Sequence, residues 1–402
     1  MPRAPRSLNV ALVGYAFMGK AHSNAYQQVE RFFPAPFRLN RQVLIGRNAQ
    51  ACQEVADTWG WQATAATLEE ALRDHSIDLV DIATPNDSHY DLAMTAIKAG
   101  KHVLCEKPLA MTAAECRRLT EAATKAGVMV GVWHNYRRCP AASLAAQLIA
   151  AGELGEIRQV RAVYLQDWLG DPKTPATWRM TKAVCGSGAH GDLNAHLIDM
   201  TRFLTGLEFA DVVALQQTFT PKRPAANGRG SITVDVDDAF LFLARLSNGA
   251  TASYEATRVA TGRKNYNQIE INGTGGSLLW NFERMNELEF FSARDQAQAQ
   301  GWRTIMCMDG AQHPYAGQYW PDGHIIGYEH TFTNTLYDFL VALKKGQRFR
   351  PDFADGWANQ EVLDAALKSA DKGRWVAVKP VAAAAGPRRK TGRARTSGKR
   401  LL

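Results

Sequence analysis

Residues 8–19, LNVALVGYAFMG, run a short apolar strand straight into a glycine-punctuated turn that opens a helix. A strand, a tight turn and a helix N-terminus form the frame in which backbone amides receive a dinucleotide pyrophosphate, so this segment restricts the start of the chain to a βαβ architecture. Gly14 makes the turn, and Gly19 lets the helix pack closely against the strand. The middle position is Ala16 where the simplest fingerprint has glycine, so a phosphate approaches over a methyl group to reach the amides around Phe17 and Met18. Taken alone, the turn is also consistent with a βα connection that binds nothing.

The rest of the first third repeats the pattern. QVLI (42–45), IDLVDIA (77–83), HVLCE (102–106) and MVGVW (129–133) are short apolar runs, separated by segments of helical period such as 88–99 and 112–126. Beyond about residue 136 the runs lengthen and alternate with period two, as in EIRQVRAVYLQDWL, DDAFLFLARLS, TASYEATRV and ELEFFSA. Such alternation predicts a sheet with one covered and one freer face. The predicted fold class is therefore α/β: a Rossmann domain with a doubly wound parallel sheet (1–135), then an α+β domain with a large, mostly antiparallel open sheet (136–385). Helix-like segments at 329–346 and 358–373 return to brace the first domain, and residues 386–402 form a basic tail.

At 402 residues the chain is long enough for two cores. Its 46% hydrophobic content is that of an ordinary globular protein, and no apolar run is long enough for a membrane helix. The formal charge of +8 points towards nucleic acid only superficially, because seven Lys or Arg residues lie in GPRRKTGRARTSGKRLL and leave the remainder near +1. That tail is expected to be solvated, and nucleic acid is not expected as a partner. The six cysteines show no paired CxxC spacing, which excludes a zinc knuckle or a disulfide framework. Reduced thiols and an N-terminal apolar run that leads into a turn, not a cleavage site, predict a cytoplasmic protein.

At the end of the second strand an NAD site commonly offers a carboxylate to the adenosine ribose. Here the residues are Ile45-Gly46-Arg47-Asn48. Arg47 either pairs with a 2′-phosphate, lies against adenine, or is a solvated loop arginine. NAD and NADP both stay open on this reading.

Three further segments, ATPNDSH (83–89), CEKPLA (105–110) and GSGAHGDLNAHLID (186–199), resemble the glucose-fructose oxidoreductase/inositol dehydrogenase family, Gfo/Idh/MocA, over nearly all of the chain except the tail. The run at 313–332, with YLQDW, is most similar to its levoglucosan dehydrogenase branch, whose members oxidise C3 of an anhydrosugar or related glucoside. The resemblance implies an NAD(P)-dependent dehydrogenase acting on a secondary hydroxyl of a sugar, anhydrosugar or cyclic polyol, with NAD slightly favoured and a homodimer or homotetramer as the assembly. It implies that Lys107 of EKP meets the reacting hydroxyl, and that Glu106, Thr84, Pro85, Asn86 and His89 lie at the nicotinamide end. It also implies that Asn135, Trp178 and Arg179 contact the cofactor, with His134, Tyr136, Gln166 and Arg179 at the substrate. His313 and His324 either reach the sugar or staple a loop.

Asp192 and His196 are four residues apart, a spacing that places both on one face of a helix, towards a shared substrate. Oxidising an alcohol requires a base for the hydroxyl proton and a cation for the developing oxyanion. His196 is the candidate base, with Lys107 as the cation and Asp192 holding the hydroxyl, the lysine or both; the alternative makes Lys107 the base, which needs a pKa lowered by burial. A metal ligated by His190, Asp192, His196 and Asp199 matches no hydrolytic zinc spacing and is not expected. Two other classes compete: a glycoside hydrolase that oxidises its substrate transiently with bound NAD, and a non-catalytic sugar- or dinucleotide-sensing regulator.

Overall fold

The computed structural model describes residues 6–381, so the basic tail predicted at 386–402 lies outside the described residues. The first domain runs β1 (Ser7–Val13), α1 (Phe17–Phe32), β2 (Arg38–Ile45), α2 (Ala49–Trp59), β3 (Ala63–Ala65), α3 (Leu68–Ala71), β4 (Leu79–Ile82), α4 (His89–Lys98), β5 (His102–Cys105), α5 (Ala113–Ala126) and β6 (Val130–Val132). Its six strands pair in the order β3-β2-β1-β4-β5-β6, and every pairing is parallel. The order reverses beside β1, and the C-terminal strand ends there frame a crevice of the kind in which doubly wound sheets bind ligands.

The second domain continues with α6 (Pro140–Ala150), β7 (Ile157–Leu165), α7 (Lys182–Cys185), α8 (Ala195–Thr205), β8 (Phe209–Gln217), β9 (Lys222–Pro224), β10 (Ser231–Thr233), β11 (Ala239–Leu246), β12 (Thr251–Thr257), β13 (Tyr266–Gly273), β14 (Gly276–Asn281), β15 (Glu287–Ser292) and β16 (Arg303–Met306). It ends in α9 (Tyr328–Lys345), α10 (Phe353–Lys372) and β17 (Val376–Ala377). Nine strands form one sheet, β16-β15-β14-β13-β7-β12-β11-β8-β17, antiparallel throughout except where β12 pairs with β7. One face packs its alternate residues, among them Val160, Phe242, Tyr254, Ile271 and Trp280, against α6, α8 and α10. The other face leaves Leu215, Leu241 and Leu243 exposed.

Helices α1 and α2 cover one face of the parallel sheet over β1–β3, while α3, α4 and α5 cover the opposite face. That arrangement leaves the first face bare over β4–β6. The chain fills it by returning from the second domain: Phe332, Leu336, Phe339 and Leu340 of α9 bury against Leu104 and Trp133. The segment expected at 329–346 to return to the first domain thus does so, since burying those apolar side chains completes the first core.

Candidate active site

The strand ends of the parallel sheet and the covered side of the second domain enclose a cavity of about 620 Å³. Gly14 takes φ +103°, and a Cβ there would lie 2.5 Å from the Ala83 carbonyl oxygen; one on Gly19 would lie 2.2 Å from that of Gly14. The turn therefore admits no side chain at either place, and α1 starts flush with the cavity wall. Ala16 caps α1 without a side-chain hydrogen bond, and the first turn carries no acid. Its free amides, with Ala16, Phe17 and Met18 lining the cavity, suit an anionic phosphate, so these residues fit a dinucleotide. Phe17, 64% exposed, lies parallel to Tyr328 with ring centroids 6.1 Å apart.

Thr84, Pro85 and Asn86 after β4, and Glu106 and Lys107 after β5, line the same cavity. Asn86 donates to the Cys185 carbonyl at 3.0 Å, which links this wall to the second domain. Asn135 follows β6, and from the second domain come Tyr136, Gln166, Trp178, Arg179, Asp192 and His196.

Asp192 sits within a π-helical turn, His190–Asn194, that runs into α8, whereas the sequence spacing had implied a regular helix. Widened turns of this type recur at functional sites because they displace a side chain and its carbonyl from the regular ladder. Here both meet one amine: Lys107 Nζ donates to Asp192 Oδ1 at 2.9 Å and to the Asp192 carbonyl at 2.8 Å. The turn is anchored by Asp237, whose carboxylate accepts from the amides of Gly188 and His190 at 2.7 and 2.8 Å. Gly188 is required for that approach, since its Cβ would fall 1.8 Å from the Asp237 carbonyl oxygen.

The second oxygen of Asp192 accepts from Arg258 Nη2 at 3.0 Å. Arg258 is 1% exposed and also donates to the carbonyls of Arg179 and Gly188. Burial by itself raises the Asp192 pKa, yet Lys107, Arg258 and Arg179 outweigh it and hold the carboxyl well below the usual range. His196 makes no hydrogen bond to another described residue and faces the cavity with the Tyr136 ring 4.5 Å away. Burial, then the charges of Lys107 and His134, push its pKa well below 6.5, so the ring is neutral and its lone pair is free. Around it runs a hydrogen-bonded chain. The Tyr136 and Tyr164 hydroxyls are 2.8 Å apart, Tyr164 donates to Asn265 Oδ1 at 2.7 Å, and Gln166 donates to the same oxygen at 2.7 Å.

Several residues singled out by sequence do not reach the cavity. His89 is fully buried with its ring nitrogens 2.8 and 2.9 Å from the Pro108 and Thr84 carbonyls, so it shapes the wall and does not line it. His134 lies behind His196, rings 6.0 Å apart, beside Asp199 and Asn359. Asp199 is committed to Arg137, accepting from Nε at 2.7 Å, and His190 bonds to Asn194 and the Leu363 carbonyl. The four candidate metal ligands therefore do not converge, and no cluster of three His, Cys, Asp or Glu groups suited to a metal occurs among the described residues. Arg47 is exposed beyond β2 and outside the cavity. His313 and His324 bond to Asp309 and Pro321 in their own loop. Conversely, Arg258, Tyr164, Asn265 and Tyr328 line the cavity without having been singled out, because strand register and the return of α9 bring them there.

Buried histidines make stability depend on pH. Burial lowers His134 and His190 to about 4, while the unfolded chain protonates near 6.5. Stability is then lost as pH falls from 6.5 towards 4, by on the order of 3 kcal/mol for each ring. His22 behaves oppositely, since its folded pKa of about 9 gives stability that is fully present below 6.5 and is lost as pH rises through 9. Melting temperatures measured from pH 4 to 10 are expected to peak near pH 6.5–7; a flat profile from 4 to 6.5 would contradict the assigned burial.

Residues 8–134 match the family described as an oxidoreductase family with an NAD-binding Rossmann fold, and residues 143–279 match the GFO/IDH/MocA C-terminal domain. Levoglucosan dehydrogenase of Pseudarthrobacter phenanthrenivorans is 42% identical over 392 residues, covering 94% of this chain and 100% of that relative. An oxidoreductase domain protein from Kribbella flavida superposes with a TM-score of 0.91 at 44% identity, covering 93% of this chain and 100% of that one. A levoglucosan dehydrogenase in complex with NADH and levoglucosan gives 0.90 at 42% identity, with 93% and 100% covered. No helix among the described residues is long and apolar enough to cross a membrane.

Proposed function

This chain belongs to the Gfo/Idh/MocA family of oxidoreductases, and from that premise we propose that it oxidises the C3 hydroxyl of levoglucosan or a close pyranoside, with NAD as the acceptor. The observation that carries this reading is the meeting, in one cavity with the free N-terminus of α1, of the Lys107–Asp192 pair and the unengaged ring of His196. Ala16, Phe17 and Met18 at the start of α1 would hold a nicotinamide dinucleotide, which would supply the acceptor for the hydride leaving the carbinol carbon.

Lys107 binds the reacting oxygen and stabilises the negative charge that grows on it as the proton departs. Lys107 is committed to Asp192 by two hydrogen bonds, and His196 is the base: its neutral ring beside that oxygen accepts the hydroxyl proton. Asp192, held ionised, keeps the ammonium in place. The Tyr136–Tyr164–Asn265–Gln166 chain and Arg179 offer donors and acceptors to the remaining ring hydroxyls, and Trp178, stacked under the Arg179 guanidinium at 4.3 Å, supplies a flat apolar face.

Arg258 orders Asp192 from behind. Changing Arg258 to Met leaves one carboxylate oxygen without its cation, and is expected to lower stability by about 2 kcal/mol and kcat by about tenfold or more. Thermal unfolding and initial rates check this together; unchanged values would remove Arg258 from the site. The exposed Leu215, Leu241 and Leu243 support pairing of the open sheet face with a second copy, for which sedimentation of the full chain is the measurement.

The function is tested by initial rates with NAD and with NADP over levoglucosan, inositols, glucosides and free aldoses, followed by identification of the oxidised carbon. One reduced dinucleotide per oxidised anhydrosugar is the expected result. Glycoside cleavage without net reduction, or no turnover on any of these substrates, would overturn it.

A further inference from the structure

We infer that His22, which lies outside the cavity, is a positioning residue: its imidazolium bridges the buried carboxylates of Asp81 and Glu106 and so ties α1, where the phosphates are received, to the strand end that carries Lys107. His22 stands on α1 and is fully buried. Nδ1 lies 3.1 Å from Asp81 Oδ2 on β4, and Nε2 lies 3.0 Å from Glu106 Oε1 just after β5. Asp81 also accepts from the Trp133 indole at 2.8 Å and from the Tyr26 hydroxyl at 3.0 Å. The other Glu106 oxygen accepts from the backbone amide of Lys107 at 3.1 Å.

A neutral imidazole has a single N–H, so with carboxylate oxygens on both sides it would set one lone pair against another. The doubly protonated ring donates on both sides and gives the two buried anions their cation. Burial is the largest single influence and lowers the His22 pKa, but Asp81 and Glu106 together outweigh it and raise it to about 9. The other groups facing this network are Tyr26 on α1, Cys105 on β5, the Trp133 ring after β6 at 4.3 Å, the Phe332 ring on α9 at 5.5 Å, Tyr328, and His89 and His134 near Glu106, whose pKa values burial lowers. Once the ring loses one proton it keeps a single N–H, so only one of the two carboxylates retains its donor, the other oxygen faces a lone pair, and the tie between α1 and the strand end that carries Lys107 is broken. The network acts on Lys107 through the backbone, which predicts an effect on kcat larger than on either KM.

The kinetic arm rests on the proposed sugar oxidation; the spectroscopic arm does not. In histidine-labelled wild-type protein the His22 ring, assigned through its contact with the Trp133 indole, is expected to carry protons on both nitrogens at pH 7.5 and to titrate only towards pH 9. A singly protonated ring at pH 7.5 overturns the inference whatever the enzyme turns over. His22→Gln is expected to lower kcat at least tenfold, with KM for sugar and dinucleotide each within threefold, and to abolish the alkaline fall in kcat near pH 9. If that variant does not fold, His22→Gln/Asp81→Asn, which removes a buried carboxylate together with its counter-charge, carries the same comparison. A kcat within twofold of wild type, or an unmoved alkaline limb, overturns the inference. Absence of turnover in the wild type overturns the proposed oxidation instead.

Discussion

Lys107→Met is expected to lower kcat about 10³-fold while dinucleotide affinity stays within threefold. Methionine keeps most of the aliphatic stem, so the wall of the cavity is retained and the charge alone is lost. In the proposed reaction the Lys107 amine meets the reacting oxygen, and it also organises Asp192 through two hydrogen bonds. Lys107→Arg is not expected to rescue the rate, because a planar fork cannot reproduce a point donor that faces a carboxylate and a carbonyl at once. Dinucleotide binding is followed by fluorescence quenching and turnover by initial rates. A kcat within tenfold of wild type would take Lys107 out of the chemistry. Loss of dinucleotide binding would instead show that the substitution disturbs the cofactor wall.

His196→Gln is expected to lower kcat by 10²–10⁴-fold, roughly the range for loss of a positioned base, and to change the pH profile in a specific way. With a folded pKa well below 6.5, the neutral ring persists through neutral pH, so the wild-type rate should be flat there and fall only in acid. The variant, having no ring to protonate, should lack that acid limb. Lys107 is the foremost charge lowering the His196 pKa, so the residual activity of Lys107→Met should show the acid limb at higher pH than wild type. An acid limb that survives unchanged in His196→Gln would assign the proton transfer to another group.

Much of the site was written in local patterns. The turn 14–19, the EKP segment and the 186–199 segment each place their residues by short-range geometry, since a strand end, a tight turn or a helical face is fixed by neighbours within a few positions. Those segments carried the family, the fold class and the residues Lys107, Asp192 and His196. The DxxxH spacing was informative even though the turn proved to be π-helical, because both side chains still open on the same cavity.

The sequence by itself determined that a βαβ domain begins this chain, that a glycine-punctuated helix start follows β1, and which three side chains are candidates for handling the reacting hydroxyl. Only the tertiary structure decided that Arg258 and not solvent faces Asp192, that His134 and His89 stand behind the wall, that Tyr164 and Asn265 complete it, and which bare face of the first sheet α9 covers. The reason is physical: those outcomes depend on register between strands distant in sequence and on which apolar face lacks cover, and neither quantity is carried by the period or composition of a single segment.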